Sequence, residues 1–247
     1  MRNEPTVEPQ TTVPYSISKL NYEDIPQLSV KDKKYIREDE SLQPFYNYSP
    51  TLGSFDKVFY DKKISNEKRE TLVSVLKAQY NKIGVSNSDP IWNSIDSLEK
   101  DNVYTVVTAH QPSLFTGPLY YIYKIISAIR LARELNAQYP DVHIVPVFIS
   151  GGEDHDFEEV NHANIFNKTV TWENEESGSV GMMKTETLKP ALEELKEILG
   201  ESDNAKEIYN LIEKAHTEND KYSDATIQMV HELFKDYGLV VVGMNHP

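Results

Sequence analysis

Two short stretches of the chain concentrate side chains that can transfer protons or bind charged groups. The first, 108–118, reads Thr-Ala-His-Gln-Pro-Ser-Leu-Phe-Thr-Gly-Pro, and the second, 151–157, reads Gly-Gly-Glu-Asp-His-Asp-Phe. A histidine titrates near neutral pH, and a carboxylate beside it can act as a general base or orient the imidazole. We therefore take Asp154, His155 and Asp156 as candidate catalytic residues.

The stretch 108–118 joins a predicted strand to a predicted helix, where free backbone N–H groups and the helix dipole favour an anion. His110 could contact a phosphate or carboxylate there, and Gln111 can donate and accept hydrogen bonds at once. Thr116 and Gly117 would let the backbone approach a ligand closely. Neither a Walker A loop nor the dinucleotide glycine pattern is present. The alternative is an ordinary helix start with a surface histidine.

The acidic run is unusual because three carboxylates and an imidazole lie within the four residues 153–156, and like charges repel. A solvated surface loop is the structural alternative. A functional interpretation is favoured because the run directly follows a predicted buried strand and is preceded by two glycines. Glu153, Asn161 and His162 are candidate substrate contacts. A Mg²⁺ site built from these oxygens stays open, whereas zinc would need a third ligand beside the two histidines, and no metal site is predicted.

Local sequence patterns predict how these stretches are positioned. A β-branched run over 103–108 predicts a buried strand, helical spacing of apolar residues predicts a helix over 119–136, and an apolar run predicts a second strand over 142–149. A strand–helix–strand unit makes its two strands parallel, so both end at the same edge of the sheet. The segments 109–117 and 151–161 should therefore share the edge where open α/β sheets bind ligands.

The remaining patterns predict an α/β fold with a parallel sheet, crossover helices and an inserted hairpin and helical region. We expect residues 1–100 to form an N-terminal extension with helices that pack on the core. Residues 101–247 should form the first part of that core, with the connecting insertion at about 163–225. The individual predictions are helices over 65–83, 89–100, 188–199, 205–216 and 226–237, a hairpin made of 164–172 and 179–183, and a buried strand over 239–243. A sheet strand so near the last residue suggests that later elements are missing.

Composition excludes several classes of function. The 39 acidic residues outnumber the 25 basic ones, for a net charge of −14, which disfavours binding to nucleic acid and to anionic membranes. Charged residues interrupt the most apolar stretch, and residues 1–15 do not resemble a signal peptide, so neither a membrane span nor export is predicted. The chain has no cysteine, which excludes disulfides and cysteine nucleophiles and is compatible with the cytoplasm.

Taken together, these residues resemble the bacillithiol biosynthesis cysteine-adding enzymes, the BshC family. The resemblance is carried by 108–129, 146–148 and 153–162, with a similar block, Leu-Gln-Pro-Phe-Tyr-Asn-Tyr, at 42–48, and it spans roughly residue 15 to the end. It implies a Rossmann-like core related to nucleotidyltransferases, inserted connecting motifs, and a coiled coil that makes the full-length protein a homodimer. The implied reaction joins L-cysteine to the amino group of glucosaminyl-malate by an amide bond.

The resemblance leaves the cofactor open, because activation of the cysteine carboxylate by a nucleotide such as ATP or ADP rests on analogy with related folds. The family often has glutamine where this chain has His110, which makes that histidine a contact rather than a required catalyst. Family members are much longer, so residues outside this chain should complete the site. Two other interpretations stay open: a nucleotidyltransferase-like enzyme with Mg²⁺ on the acidic run, and a non-catalytic fragment.

Overall fold

The computed structural model describes residue 16 and residues 18–245. The expectation that residues 1–15 lack a signal peptide falls outside the described residues. Residue contacts divide the chain into two compact units, Met1–Lys62 and Lys63–Pro247. This division precedes the expected boundary at residue 100, because the two helices that follow Lys63 bury apolar residues against the strands of the sheet.

The first unit consists of short helical segments. Two are α-helices, α1 (Val30–Ile36) and α2 (Phe55–Asp61). The start of α1 is fixed by a capping box, in which the Ser29 hydroxyl accepts from the Asp32 N–H and the Asp32 carboxylate accepts from the Ser29 N–H. Such reciprocal bonds satisfy two of the free N–H groups at a helix start.

The second unit alternates helices and strands. It begins with α3 (Asn66–Lys82) and α4 (Ile91–Ser97), which correspond to the two helices predicted before the sheet. The elements that follow are β1 (Val103–His110), α5 (Leu119–Gln138), β2 (His143–Ser150), α6 (Phe157–Val160), β3 (His162–Ile165), β4 (Lys168–Thr171), α7 (Lys189–Leu199), α8 (Asp203–Glu218), α9 (Tyr222–Phe234) and β5 (Val240–Gly243).

Three of the strands form a parallel sheet in the order β1-β2-β5. In β1 and β2, Val103 pairs with His143, and the register continues to His110 opposite Ser150. The helix α5 connects these two strands, which confirms the predicted strand–helix–strand unit. Both strands therefore end together at one edge of the sheet.

The sheet is covered on both faces, as expected for an α/β fold. On one face, α3 and α4 contribute Val73, Leu76, Tyr80, Ile91 and Ile95 to a cluster that also holds Val103, Val145, Val147 and Val240. On the other face, the core includes Tyr121, Ile125, Phe148, Ile227 and Val241, which come from α5, β2, α9 and β5. The predicted Rossmann-like α/β class is confirmed.

The prediction that β1 is buried was wrong for one of its faces. Thr105, Val107 and Ala109 are exposed, and Val107 keeps 51% of its surface accessible. The cluster formed with α3 and α4 includes Val103 but none of these three residues, so these helices leave that face of β1 uncovered beyond its first residue. Among the described residues, β1 is also an edge strand with only β2 beside it. The strand also continues through His110, so the predicted loop starts two residues later than expected.

The predicted hairpin was also placed incorrectly. The antiparallel hairpin is β3 with β4, and it lies within 162–171. Phe166 and Asn167 form its turn, with φ of 47° and 65°, the backbone region that two-residue hairpin loops require. The segment expected to be the second strand instead contains a 3₁₀ turn, Val180–Met182, whose Gly181 N–H donates to the Gly152 carbonyl (2.8 Å).

The outer edge of β5 is closed by side chains of α3. The Gln79 amide donates to the Val241 carbonyl (2.8 Å) and accepts from the Gly243 N–H (2.9 Å), while the Tyr80 hydroxyl accepts from the Val241 N–H (2.8 Å). Gln79 is completely buried. These bonds satisfy backbone groups that would otherwise be buried without partners.

We predict that Gln79→Leu lowers the free energy of unfolding by about 2–4 kcal/mol, because it leaves a buried carbonyl and a buried N–H unpaired at nearly constant volume. Urea unfolding followed by circular dichroism would measure the loss. Gln138→Leu on the exposed end of α5 is the matched control and should change stability by about 0.5 kcal/mol or less. Equal losses in both variants would show that the Gln79 bonds contribute nothing.

Candidate functional site

Residues 110–118 form a turn that we name the His110 turn, and residues 151–156 form a second turn that we name the acidic turn. They are neighbours because β1 and β2 end in register. The Gly151 N–H donates to the His110 carbonyl (2.9 Å), which extends the strand pairing by one bond beyond β2. The predicted meeting of the two turns at one edge of the sheet is therefore what the structure shows.

A glutamine side chain joins the two turns directly. The Gln111 amide nitrogen donates to the Asp154 carboxylate (2.7 Å) and to the Glu159 carboxylate (3.0 Å). Gln111 and Asp154 are both half-buried. Because one amide carries both bonds, the His110 turn, the acidic turn and α6 are held in a fixed arrangement.

Asp154 is held as a carboxylate. Its second oxygen accepts from the Asp156 N–H (3.0 Å). This backbone bond is the largest influence that lowers the pKa of Asp154, followed by the Gln111 bond, with a smaller contribution from the His155 imidazole. All three favour the charged form, so Asp154 carries a negative charge at neutral pH.

The acidic turn requires glycine at position 152 because two other segments pack against it. A Cβ there would lie 2.1 Å from the Asn245 side-chain oxygen and 3.3 Å from the Gly181 Cα. The Ser179 hydroxyl donates to the Gly152 carbonyl (2.5 Å) and accepts from the Asn245 amide (2.9 Å). The close approach of these neighbouring segments is therefore what requires glycine at this position.

Asp156 has a structural role at the start of α6. It is the N-cap of α6, and its carboxylate accepts from the Glu159 N–H (3.3 Å). The cap fixes where α6 begins and thereby turns the Glu159 side chain back toward Gln111. Negative charge at a helix start is also favoured by the helix dipole.

His110 presents one ring nitrogen as a hydrogen-bond acceptor. Its Nδ1 lies 3.0 Å from the Gln111 carbonyl, which can only accept, so Nδ1 carries the proton. Nε2 then accepts from the Tyr120 hydroxyl (3.2 Å). The ring is further supported by Tyr121, with centroids 5.4 Å apart. Positioned in this way, His110 can accept a hydrogen bond from Tyr120 or from a ligand.

A lysine lies beside this histidine. The Lys124 ammonium donates to the Ala109 carbonyl (3.4 Å) and lies 5.5 Å from the centre of the Tyr120 ring. The Lys124 side chain is exposed, but its charged end is next to the His110 turn. It adds positive charge beside a site whose other charged groups are mostly carboxylates.

The His110 turn contains consecutive residues with left-handed backbone conformation. The φ angles of Phe115, Thr116 and Gly117 are 49°, 73° and 49°, and a Cβ on Gly117 would lie 2.6 Å from the Ser113 Cβ. Such angles are strained for residues other than glycine. The turn leads to Pro118, the N-cap of α5, and no side chain among the described residues caps that helix start. The Tyr121 N–H donates to the Pro118 carbonyl (2.9 Å), and the N–H groups of Leu119 and Tyr120 remain available to an anion.

Other predicted contacts are not joined to this network. The Asn161 side-chain oxygen bonds to the His162 ring (3.2 Å), and His162 is the exposed first residue of β3. His155 precedes α6 and His162 follows its last residue, Val160, so the two histidines do not share a helix face. Glu153 and His155 are exposed, and their side chains make no hydrogen bond to the described residues.

Sequence reasoning missed Glu159 and Tyr120. The spacing from Asp156 to Glu159 is that of a capping box, which could have indicated a helix start at this point. For Tyr120, the signal is its place in the first turn of a helix that runs back alongside the strand ending at His110. Among the described residues, no group of three or more His, Asp or Glu side chains is arranged to hold a metal ion.

None of the helices in the described part of the chain has the length and apolar character needed to cross a membrane. This agrees with the charged residues that interrupt the most apolar stretch of the sequence, 119–135.

Comparison with known proteins identifies the family. The family model described as "Bacillithiol biosynthesis BshC, N-terminal Rossmann-like domain" matches residues 16–247. A protein of Flavobacterium johnsoniae is 38% identical over 225 residues, which cover 90% of this chain and 42% of the relative. A protein of Christiangramia forsetii is 39% identical over 214 residues, which cover 84% of this chain and 39% of the relative. A protein of Bacillus cytotoxicus is 32% identical over 221 residues, which cover 86% of this chain and 40% of the relative.

All three relatives carry the name "Putative cysteine ligase BshC". The chain spans about two-fifths of the length of these curated relatives. The family match covers both turns of the candidate site and the strands that position them. The chain therefore belongs to the BshC family, and residues 16–247 correspond to its N-terminal Rossmann-like domain.

Proposed function

We propose that the longer protein containing this chain adds L-cysteine to the amino group of glucosaminyl-malate, and that the reaction takes place between the His110 turn and the acidic turn. The single observation that carries the proposal is the Gln111 amide bound to the Asp154 carboxylate (2.7 Å), because it joins an anion-binding turn to a turn that can hold an amine. The family's N-terminal domain and the names of its members support a ligase role in bacillithiol biosynthesis.

The His110 turn suits the cysteine substrate. Its left-handed backbone and the uncapped start of α5 offer N–H groups to a carboxylate or to a phosphate attached to it. Lys124 adds a positive charge beside the turn, and His110 adds a polar contact. In this proposal Gln111, Thr116 and Gly117 line the same part of the site.

The acidic turn suits the amine substrate. An amine that attacks the cysteine carbonyl carbon must first lose a proton, since amines are largely protonated near neutral pH. Asp154 attracts the ammonium form, and His155 accepts the proton, because a neutral imidazole has a nitrogen lone pair that can take one. Asp156 shapes the turn by capping α6. Glu153, Asn161 and His162 are proposed as outer contacts to the sugar–malate substrate.

Formation of the amide also requires a leaving group on the cysteine carboxyl carbon. After His155 has taken the first proton, the nitrogen forms a bond to that carbon, the leaving group departs with its electron pair, and the second proton of the nitrogen passes to the departing group. Whether ATP or ADP, with or without Mg²⁺, supplies the leaving group stays open, and a comparison of turnover with and without ATP and Mg²⁺ would decide it. A homodimer and a cytoplasmic location for the longer protein both stay predictions.

We predict that Asp154→Asn and His155→Ala in the full-length protein each lower kcat for cysteine addition by about 10²–10⁴-fold, the usual contribution of general acid–base catalysis. Product formation would be followed by mass spectrometry. His143→Ala is the matched control, because this histidine is exposed at the opposite end of β2. The assignment is wrong if both variants turn over at the control's rate while retaining the native circular dichroism spectrum.

A second prediction needs only the chain described here. Gln111→Leu should raise the pKa of Asp154 toward its ordinary value, because the substitution removes the side-chain hydrogen bond that favours the carboxylate. Carbon-detected NMR titration of the aspartate carboxyl groups would measure the change. In Gln138→Leu, which lies outside the site, the pKa should stay lowered. An unchanged Asp154 pKa in Gln111→Leu would show that the two turns are not coupled.

A further inference from the structure

The left-handed backbone of the His110 turn needs support from outside the turn. Phe115 and Thr116 have φ of 49° and 73°, which are unfavourable angles for residues with a side chain and persist only where surrounding structure imposes them. The bonds from the Thr116 N–H to the Ser113 carbonyl (3.2 Å) and from the Gly117 N–H to the Leu114 carbonyl (2.7 Å) join residues of the turn to each other. They cannot fix the turn against the rest of the domain, so a contact with another element is required.

The Phe115 side chain makes such a contact with α8. Its ring packs edge-to-face on the ring of His216, with centroids 5.6 Å apart and planes at 86°, which is a favoured arrangement of two aromatic rings. Phe115 keeps only 6% of its surface accessible. The neighbouring Leu114 is also buried, but Phe115 is the buried side chain that belongs to a residue with positive φ. The contact with His216 therefore acts directly on the strained backbone.

His216 is itself held in place. Its Nδ1 donates to the Ile212 carbonyl (2.8 Å), and its ring lies beside the ring of Tyr222, with centroids 5.8 Å apart. Tyr222 packs in turn on Trp172 (4.6 Å), and both of these rings are completely buried. Burial lowers the pKa of His216 to about 4, so the ring is neutral near neutral pH and serves as an aromatic surface rather than as a charge. A ring fixed in this way can determine where Phe115 lies.

We propose that His216 is a positioning residue of the candidate site, because its ring holds Phe115 and thereby keeps the His110 turn in its left-handed conformation. His216 touches neither substrate in this proposal and acts only through the turn. Its effect on turnover rests on the proposed function, in which the turn binds the carboxylate of cysteine. Its effect on the backbone of the turn does not depend on any reaction.

Loss of the His216 ring should leave the turn in its left-handed conformation for only part of the time. A site that is competent for a fraction of the time binds its ligand more weakly by that fraction. Once cysteine is bound, the turn is again in the competent conformation, and the chemical step is unchanged. The expected result is therefore a higher KM for cysteine at nearly constant kcat.

The first test is NMR spectroscopy of the chain described here. The amide and α hydrogens of a residue come closest together when φ is positive, so a strong intraresidue NOE between them marks the left-handed conformation at Phe115 and Thr116. We expect His216→Ala to weaken both NOEs and His216→Phe, which keeps an aromatic ring, to retain them. His231→Ala is the matched control and should also retain them, because this equally buried histidine packs on Tyr80 of α3 instead (5.3 Å).

The second test measures cysteine addition by the full-length protein. His216→Ala should raise the KM for cysteine by about tenfold and change kcat and the KM for glucosaminyl-malate by about threefold or less. His216→Phe and His231→Ala should keep the KM for cysteine within about threefold of the unchanged protein. Asp154→Asn and His155→Ala test the proposed reaction separately. If those two variants contradict it, the NMR comparison still decides whether His216 holds the turn.

The inference is overturned if His216→Ala keeps both strong NOEs. It is also overturned if His231→Ala weakens them to the same extent, since the loss would then reflect general destabilisation, or if His216→Phe fails to retain them. In the kinetic test, a lower kcat with an unchanged KM for cysteine in His216→Ala would contradict a positioning role for this residue.

Discussion

The arrangement of the candidate site depends on the parallel pairing of β1 and β2. Because the register runs without interruption to His110 opposite Ser150, both strands end at the same level and their following turns emerge side by side. The Gly151 N–H extends the pairing by one bond, and Gln111 then reaches across to Asp154 and Glu159. A shift of one residue in this register would turn each side chain to the opposite face of the sheet.

The turns themselves are held by contacts that leave little freedom. Gly152 is packed against Asn245 and Gly181, and Gly117 is packed against Ser113, so neither position has room for a side chain. The two turns also carry opposite charges, because Lys124 lies beside the His110 turn and ionised Asp154 lies in the acidic turn. The proposed reaction assigns an anion-binding half and an amine-binding half to this one edge of the sheet, which is the combination that amide formation from two charged substrates requires.

Much of this could be predicted from the sequence, because the signals are local. A β-branched run, the helical spacing of apolar residues after Pro118 and a second apolar run were sufficient for the strand–helix–strand unit and for the common edge of the two turns. The contacts of Gly152 with Asn245 and of Gln79 with β5 could not be predicted, since they join residues far apart in the chain. The exposed face of β1 and the 3₁₀ turn at Val180–Met182 were missed because neighbouring elements, not local preferences, decide them.

A double-mutant cycle between Gln111 and Asp154 tests most directly whether the two turns form one site. The values of kcat/KM for cysteine addition would be measured for the full-length protein, for Gln111→Ala, for Asp154→Asn and for the double variant. If the His110 turn and the acidic turn act together on the substrates, the effects are non-additive, with a coupling energy of about 1 kcal/mol or more. Effects that add to within about 0.3 kcal/mol would contradict a shared site.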